Sequence, residues 1–136
     1  MAPLAGTYTV GSVSTADFST LTSAVNALNN VGVSAAVTFL LDNTNYNRTT
    51  NEVFPLVITP YFNNTNFKVT FKPNTNRTVT IEATNSPPET STPAVFKLNG
   101  VDNVVFDGSN NGTTSKNLTI YNNNPINPKK SVIWIA

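Results

Sequence analysis

The chain has 136 residues, 39% hydrophobic and 11% charged, with a net charge of +1, which is enough for one domain around one sizeable core. Its eight basic residues (Arg48, Lys68, Lys72, Arg77, Lys97, Lys116, Lys129 and Lys130) are scattered apart from the last pair, so no basic stripe forms and nucleic acid is not an expected partner. With neither Cys nor His, disulfides, thiolate or imidazole metal sites and histidine-dependent nucleophiles are excluded.

In chain order, Thr7-Tyr8-Thr9-Val10 reads as a short strand ended by Gly11 and a Ser/Thr-rich turn. Residues 19–32 then carry Leu21, Ala24, Val25 and Leu28 at i, i+3, i+4 and i+7, one apolar stripe on a helix whose other face is Ser, Thr and Asn. Ser19 is the expected N-cap, and Gly32 the expected stop through a left-handed conformation that residues with a Cβ avoid. A lone amphipathic helix before many β runs must bury its stripe on the β core, so residues from about 15 to 32 are expected to cap one end of it.

After the helix only strand is expected. Apolar and β-branched runs occur at 37–41, 56–59, 67–71, 78–81, 94–98, 103–106, 117–120 and 131–135, each bounded by Asn, Pro, Thr or Gly clusters. Val69-Thr70-Phe71 and Val79-Thr80-Ile81 alternate apolar with polar residues, giving each strand one dry face. The short gaps lack two-residue hairpin signals, and Asp107-Gly108 opens a long loop instead. The triplet near Val69, Val79 and Val95 recurs near Val104, Leu118 and Val132, with Val37 to Ile58 in an earlier set. Three strands per coil, stacked into a continuous core over about 35–136, make a parallel β-helix the expected all-β architecture, with a β-sandwich as the alternative.

Within this pattern, the stretch 17–29 (DFSTLTSAVNALN) resembles the capping segment of right-handed parallel β-helix proteins of the pectin lyase-like superfamily. The stretches 99–120 (NGVDNVVFDGSNNGTTSKNLTI) and 131–136 (SVIWIA) resemble coil repeats of long secreted and cell-surface β-helix proteins exported by type IX secretion in gliding bacteria. The resemblance covers about residues 6–136 and implies a right-handed solenoid in one domain, 1–136, that is part of a longer protein. Its motifs are patterns of fold and contain no reacting group.

Candidate chemistry rests on seven carboxylates: Asp17, Asp42, Glu52, Glu82, Glu89, Asp102 and Asp107. Polysaccharide-active β-helix enzymes gather acids and a basic residue on one face, where paired carboxylates share acid and base roles. Here Asp102 and Asp107 come nearest to a pair, yet their odd separation across a strand points them to opposite faces, and turn formation accounts for them. The loop 107–112 places oxygen ligands at its first, fourth and fifth positions, with Leu118 where a bidentate Glu belongs, so no calcium site is expected. Asn47, Asn63, Asn76, Asn111 and Asn117 begin Asn-x-Ser/Thr triplets, which a chain with roughly a seventh each of Asn and Thr produces by composition.

Tyr8, Tyr46, Tyr61, Tyr121 and Trp134 are spread too thinly for an evident sugar-stacking platform and read first as packing residues. Turn asparagines are expected to stack as amide ladders between coils. The expected function is a non-enzymatic structural or adhesion module of a secreted or cell-surface protein, with no catalytic residue, metal or cofactor. The alternatives are the opening segment of a polysaccharide-active enzyme (lyase, hydrolase or esterase) and a carbohydrate-binding module. Expected partners are cell-surface glycans, or a second copy through the exposed apolar strand 131–135. No apolar run reaches the roughly 18 residues of a membrane helix, and residues 1–5 are not expected to be a signal peptide.

Overall fold

β-Branched and aromatic residues in short alternating runs favour strands, and the computed structural model, which describes residues 1–60, 66–84, 93–125 and 130–136, places them in parallel sheets. The elements are β1 (Leu4–Val10), α1 (Leu21–Val31), β2 (Val33–Leu41), β3 (Asn45–Tyr46), a single 3-10 turn (Arg48–Thr50), β4 (Leu56–Ile58), β5 (Val69–Pro73), β6 (Val79–Ala83), β7 (Ala94–Leu98), β8 (Val104–Phe106), β9 (Leu118–Asn122) and β10 (Ser131–Ile135). Three sheets result, with strand orders β1-β2-β5-β8, β3-β6-β9 and β4-β7-β10. From β2 onward the chain visits the sheets in turn, and each strand pairs in parallel with the strand three places on. We call three successive strands a circuit.

Register brings like residues together. Val37 pairs with Val69 and Val69 with Val104, while Phe39 pairs with Phe71 and Phe71 with Phe106. The Phe39 and Phe71 rings stack with centroids 5.2 Å apart, and those of Phe71 and Phe106 at 5.7 Å. In the second sheet Tyr46 pairs with Ile81 and Ile81 with Ile120; in the third, Leu56 pairs with Phe96 and Phe96 with Ile133. Parallel strands with matched side chains bury the same column of apolar surface in the first two circuits, each fully buried Phe adding roughly 1.5–3 kcal/mol. The first two circuits are fully closed: Phe39, Phe71, Tyr46, Ile81, Leu56 and Phe96 are all buried. In the third, Val104, Phe106, Leu118 and Ile120 are half-buried, Ile133 is 37% exposed and Ile135 is 78% exposed.

Helix α1 buries the expected stripe, Leu21, Ala24, Val25 and Leu28, and packs on β4, β1 and β2. Its N-cap is Thr20 rather than Ser19: the Thr20 hydroxyl accepts from Ser23 N, and the Ser23 hydroxyl accepts from Thr20 N, closing a capping box. Gly32 ends it at φ 67°, ψ −162°. The φ is positive as expected, but this ψ lies outside the left-handed helical region and in one open essentially to glycine alone. On the far side, Asn29 Nδ2 donates to Val57 O (2.8 Å) while its Oδ1 accepts from Thr59 N (3.0 Å), so one side chain occupies the free edge of β4 as a strand would.

Several boundaries differ from the sequence expectation. β2 begins at Val33, directly after the helix, because Leu4 and Val33 pair at the start of the β1 ladder. β3 and the 3-10 turn were not anticipated: two residues are too few for periodicity, and the turn is made by Asn47, whose Oδ1 accepts from Thr49 N and Thr50 N. The asparagines also differ from the expected amide ladder. Asn43, Asn74, Asn110 and Asn123 do reach across circuits, but to Ser12, Asp42, Arg77 O and Glu82 rather than to one another. Asn51, Asn76 and Asn103 instead supply positive φ (67°, 64° and 61°), the role for which Asn is the most tolerant residue after Gly.

Candidate functional site

Where β2 turns toward β3, Gly11 lets two layers of chain approach closely. A Cβ at Gly11 would lie 3.0 Å from Asn43 Oδ1 and 3.3 Å from Asp42 Cβ. That oxygen accepts from Ser12 N (3.0 Å) and from the Ser12 hydroxyl (3.1 Å), tying the turn after β1 to the turn after β2. Below it, Asp42 Oδ1 accepts from Arg77 Nε (3.1 Å) and Asn74 Nδ2 (3.0 Å), while Asn110 Nδ2 donates to Arg77 O (2.8 Å). These turns and the segments before α1 and after the 3-10 turn enclose a groove of about 640 Å³. Hydroxyls and amides dominate its lining, with the Asp42–Arg77 ion pair and a single apolar residue, Val13. A second, smaller groove of about 370 Å³ runs between α1 and β4.

The carboxylates named from the sequence are dispersed. Asp17 Oδ2 accepts from Thr9 N (2.8 Å). Glu52 is buried beneath the start of α1, where Oε1 accepts from Leu21 N (2.7 Å) and Oε2 from Thr22 N (2.7 Å) and the Thr22 hydroxyl (2.6 Å). Burial pushes its carboxyl above the ordinary 4.5, against the pull of those three donors. Glu82 accepts from Asn123 Nδ2 (3.0 Å) and from the hydroxyl of its ladder partner Tyr121, which raises the tyrosine pKa. Asp107 accepts from Ser109 N and lies 3.4 Å from Lys72 Nζ. Asp102 is exposed. Because β8 covers only Val104–Phe106, both Asp102 and Asp107 fall outside it, and strand alternation does not govern where they point. Glu89 lies outside the described residues.

In the loop that resembled a calcium site, Asp107 faces an ammonium, and Ser109, Asn111, Thr113 and Ser115 bond to one another. Among the described residues no group of three or more His, Cys, Asp or Glu is placed to hold a metal ion. No helix among them is long and apolar enough to cross a membrane.

The aromatic candidates divide between core and surface. Tyr8 packs on Phe18 and Phe39, and Tyr46 is fully buried, donating to Val10 O; burial drives its pKa up. Tyr121 and Trp134 are 39% and 42% exposed, and Lys97 Nζ sits 4.1 Å above the Trp134 ring. Tyr61 and Asn63 lie outside the described residues. Of the remaining Asn-x-Ser/Thr asparagines, Asn47 caps the 3-10 turn, Asn76 holds a positive φ, Asn111 binds within its own loop and Asn117 donates to Thr78.

Sequence reasoning missed the groove. Its residues come from five separate stretches within 12–77, and each alone reads as an ordinary polar turn; the one usable signal was Gly11 ahead of a Ser/Thr-rich segment. No family model matches the chain, and neither the curated proteins nor the solved structures contain a match.

Proposed function

We propose that the chain is a right-handed parallel β-helix serving as a non-enzymatic structural and adhesive module of a secreted or cell-surface protein. The observation that carries this reading is the repeating circuit: three parallel sheets visited in turn, with Val on Val and Phe on Phe through successive circuits. Such an arrangement makes an elongated rigid body whose outer face is free to vary, the property a spacer or adhesive stalk needs. Support for the non-enzymatic part comes from the carboxylates, since Asp17, Asp42, Glu52, Glu82 and Asp107 are each engaged in holding a turn, a helix end or a neighbouring strand. An acid–base pair needs groups free to exchange protons with substrate. The experiment is an assay for new reducing or unsaturated ends on pectic and neutral polysaccharides, run beside attachment of chain-coated beads to glycan surfaces. Attachment without release of ends is expected. Release of ends by purified chain, lost in Asp42→Asn, would overturn the reading.

A second reading concerns assembly. β8, β9 and β10 each end their sheet, and Val132, Ile133, Trp134 and Ile135 are exposed along β10. Edge strands with apolar side chains offer both unpaired backbone groups and surface to bury. We propose that a second copy of the chain docks on this face.

A further inference from the structure

The groove between the turns after β1 and β2 has a composition that selects its ligand. We infer that it binds a neutral, hydroxyl-rich ligand, a short stretch of uncharged oligosaccharide. The inference rests on the adhesive reading above and assigns it a site.

Size comes first: about 640 Å³ falls within the roughly 300–1,000 Å³ of small-molecule sites. Charge is the second filter. Arg77 and Asp42 are bonded to each other, so the groove presents no unpaired charge to an anion or a cation. Apolar ligands are disfavoured too, since Val13 is the single apolar side chain in the lining. What remains is a mixture of donors and acceptors. Sugar hydroxyls both donate and accept, and are matched by such mixtures.

The polar groups are also held in place before any ligand arrives. Asp42 has 13% of its side chain exposed and grips Arg77 through Nε, while Arg77 itself remains 42% exposed in the lining of the groove. Asn110 fixes the Arg77 backbone from the next circuit. Asn43 spends Oδ1 on Ser12, which orients its Nδ2 as a donor; Asn45 donates Nδ2 to Thr44 Oγ1 (3.2 Å), which leaves its Oδ1 as an acceptor. Asp42, Asn43 and Arg77 thus line one groove already fixed by their own hydrogen bonds, which lowers the ordering cost of binding, while the exposed Asn45 adds an acceptor oriented by its neighbour Thr44. With no aromatic ring in the lining there is no stacking surface, and the affinity should be modest, on the order of 1 mM.

The test is NMR titration of the full ¹⁵N-labelled chain with neutral hexasaccharides of β-1,4-linked glucose, mannose and xylose, and with oligogalacturonate as the charged comparison. Saturable shifts at Ser12, Asn43, Asn45 and Arg77 with at least one neutral hexasaccharide are expected. Asn45→Ala and Arg77→Lys should each weaken binding by roughly 5–10-fold while the remaining spectrum stays folded. Preference for oligogalacturonate would overturn the charge argument. Neutral binding that maps to Tyr121 and Trp134, and survives both substitutions, would overturn this site and leave the adhesive reading standing. No binding by any oligosaccharide at tens of millimolar, together with failed bead attachment, would overturn both.

Discussion

Replacing Glu52 by Gln tests how α1 is held. The carboxylate accepts from two N–H groups of the first helical turn and from the Thr22 hydroxyl, at 2.6–2.7 Å. Gln keeps the shape but turns one acceptor into an NH₂ donor, leaving a buried N–H facing another donor, which costs about 1–3 kcal/mol. Losing a negative charge beside the helix N-terminus adds about 0.3–1 kcal/mol, and removing the burial penalty on a carboxylate offsets part of the total. A net loss of about 1–3 kcal/mol at pH 7 is expected, read by urea denaturation or as a fall in Tm of roughly 3–10 °C. The pH dependence carries a sign. Burial raises the folded-state pKa of Glu52 above the ordinary 4.5, so the folded state holds its proton more tightly than the unfolded chain. Its contribution is then fully present below about 4.5 and is lost as pH rises through the folded pKa, so the gap between wild type and Glu52→Gln should narrow from pH 4 to pH 7. A gap that widens over that interval would show that the three donors outweigh burial, refuting the reasoning.

Three further outcomes follow from the packing. Phe71→Ala removes the ring between Phe39, Phe96 and Phe106 and should cost about 3–5 kcal/mol in chemical denaturation; a loss below about 1 kcal/mol would mean the column is not a shared core. Gly11→Ala puts a methyl 3.0 Å from Asn43 Oδ1, so it should displace that side chain, shift the Ser12 amide resonance and cost roughly 1–2 kcal/mol; an unchanged Ser12 resonance would count against the close approach. Ile133→Lys puts a charge on the exposed β10 face, and light scattering should then give a monomer mass where wild type gives a concentration-dependent dimer. A monomeric wild type at high concentration would remove the assembly reading.

Some of this protein could be read along the chain, because local periodicity encodes local structure. Leu21, Ala24, Val25 and Leu28 face one way in any α-helix, and all four are buried. The β-branched runs marked strands for the same reason, and the recurrence of Val69 at Val104 anticipated a pairing that the first sheet contains. The choice of partners was not legible. Glu52 meets the helix N-terminus across about 30 residues, Asn29 meets β4 across a similar span, and Asn43 meets Ser12 by way of a glycine that reads as a plain turn. Glu52 and Asn29 satisfy backbone groups that burial would otherwise orphan, Asn43 ties two exposed turns together, and which groups meet depends on where the circuit closes. Periodicity therefore determined the helix and the longer strands, while chain closure decided which turns stack, and so where the groove lies.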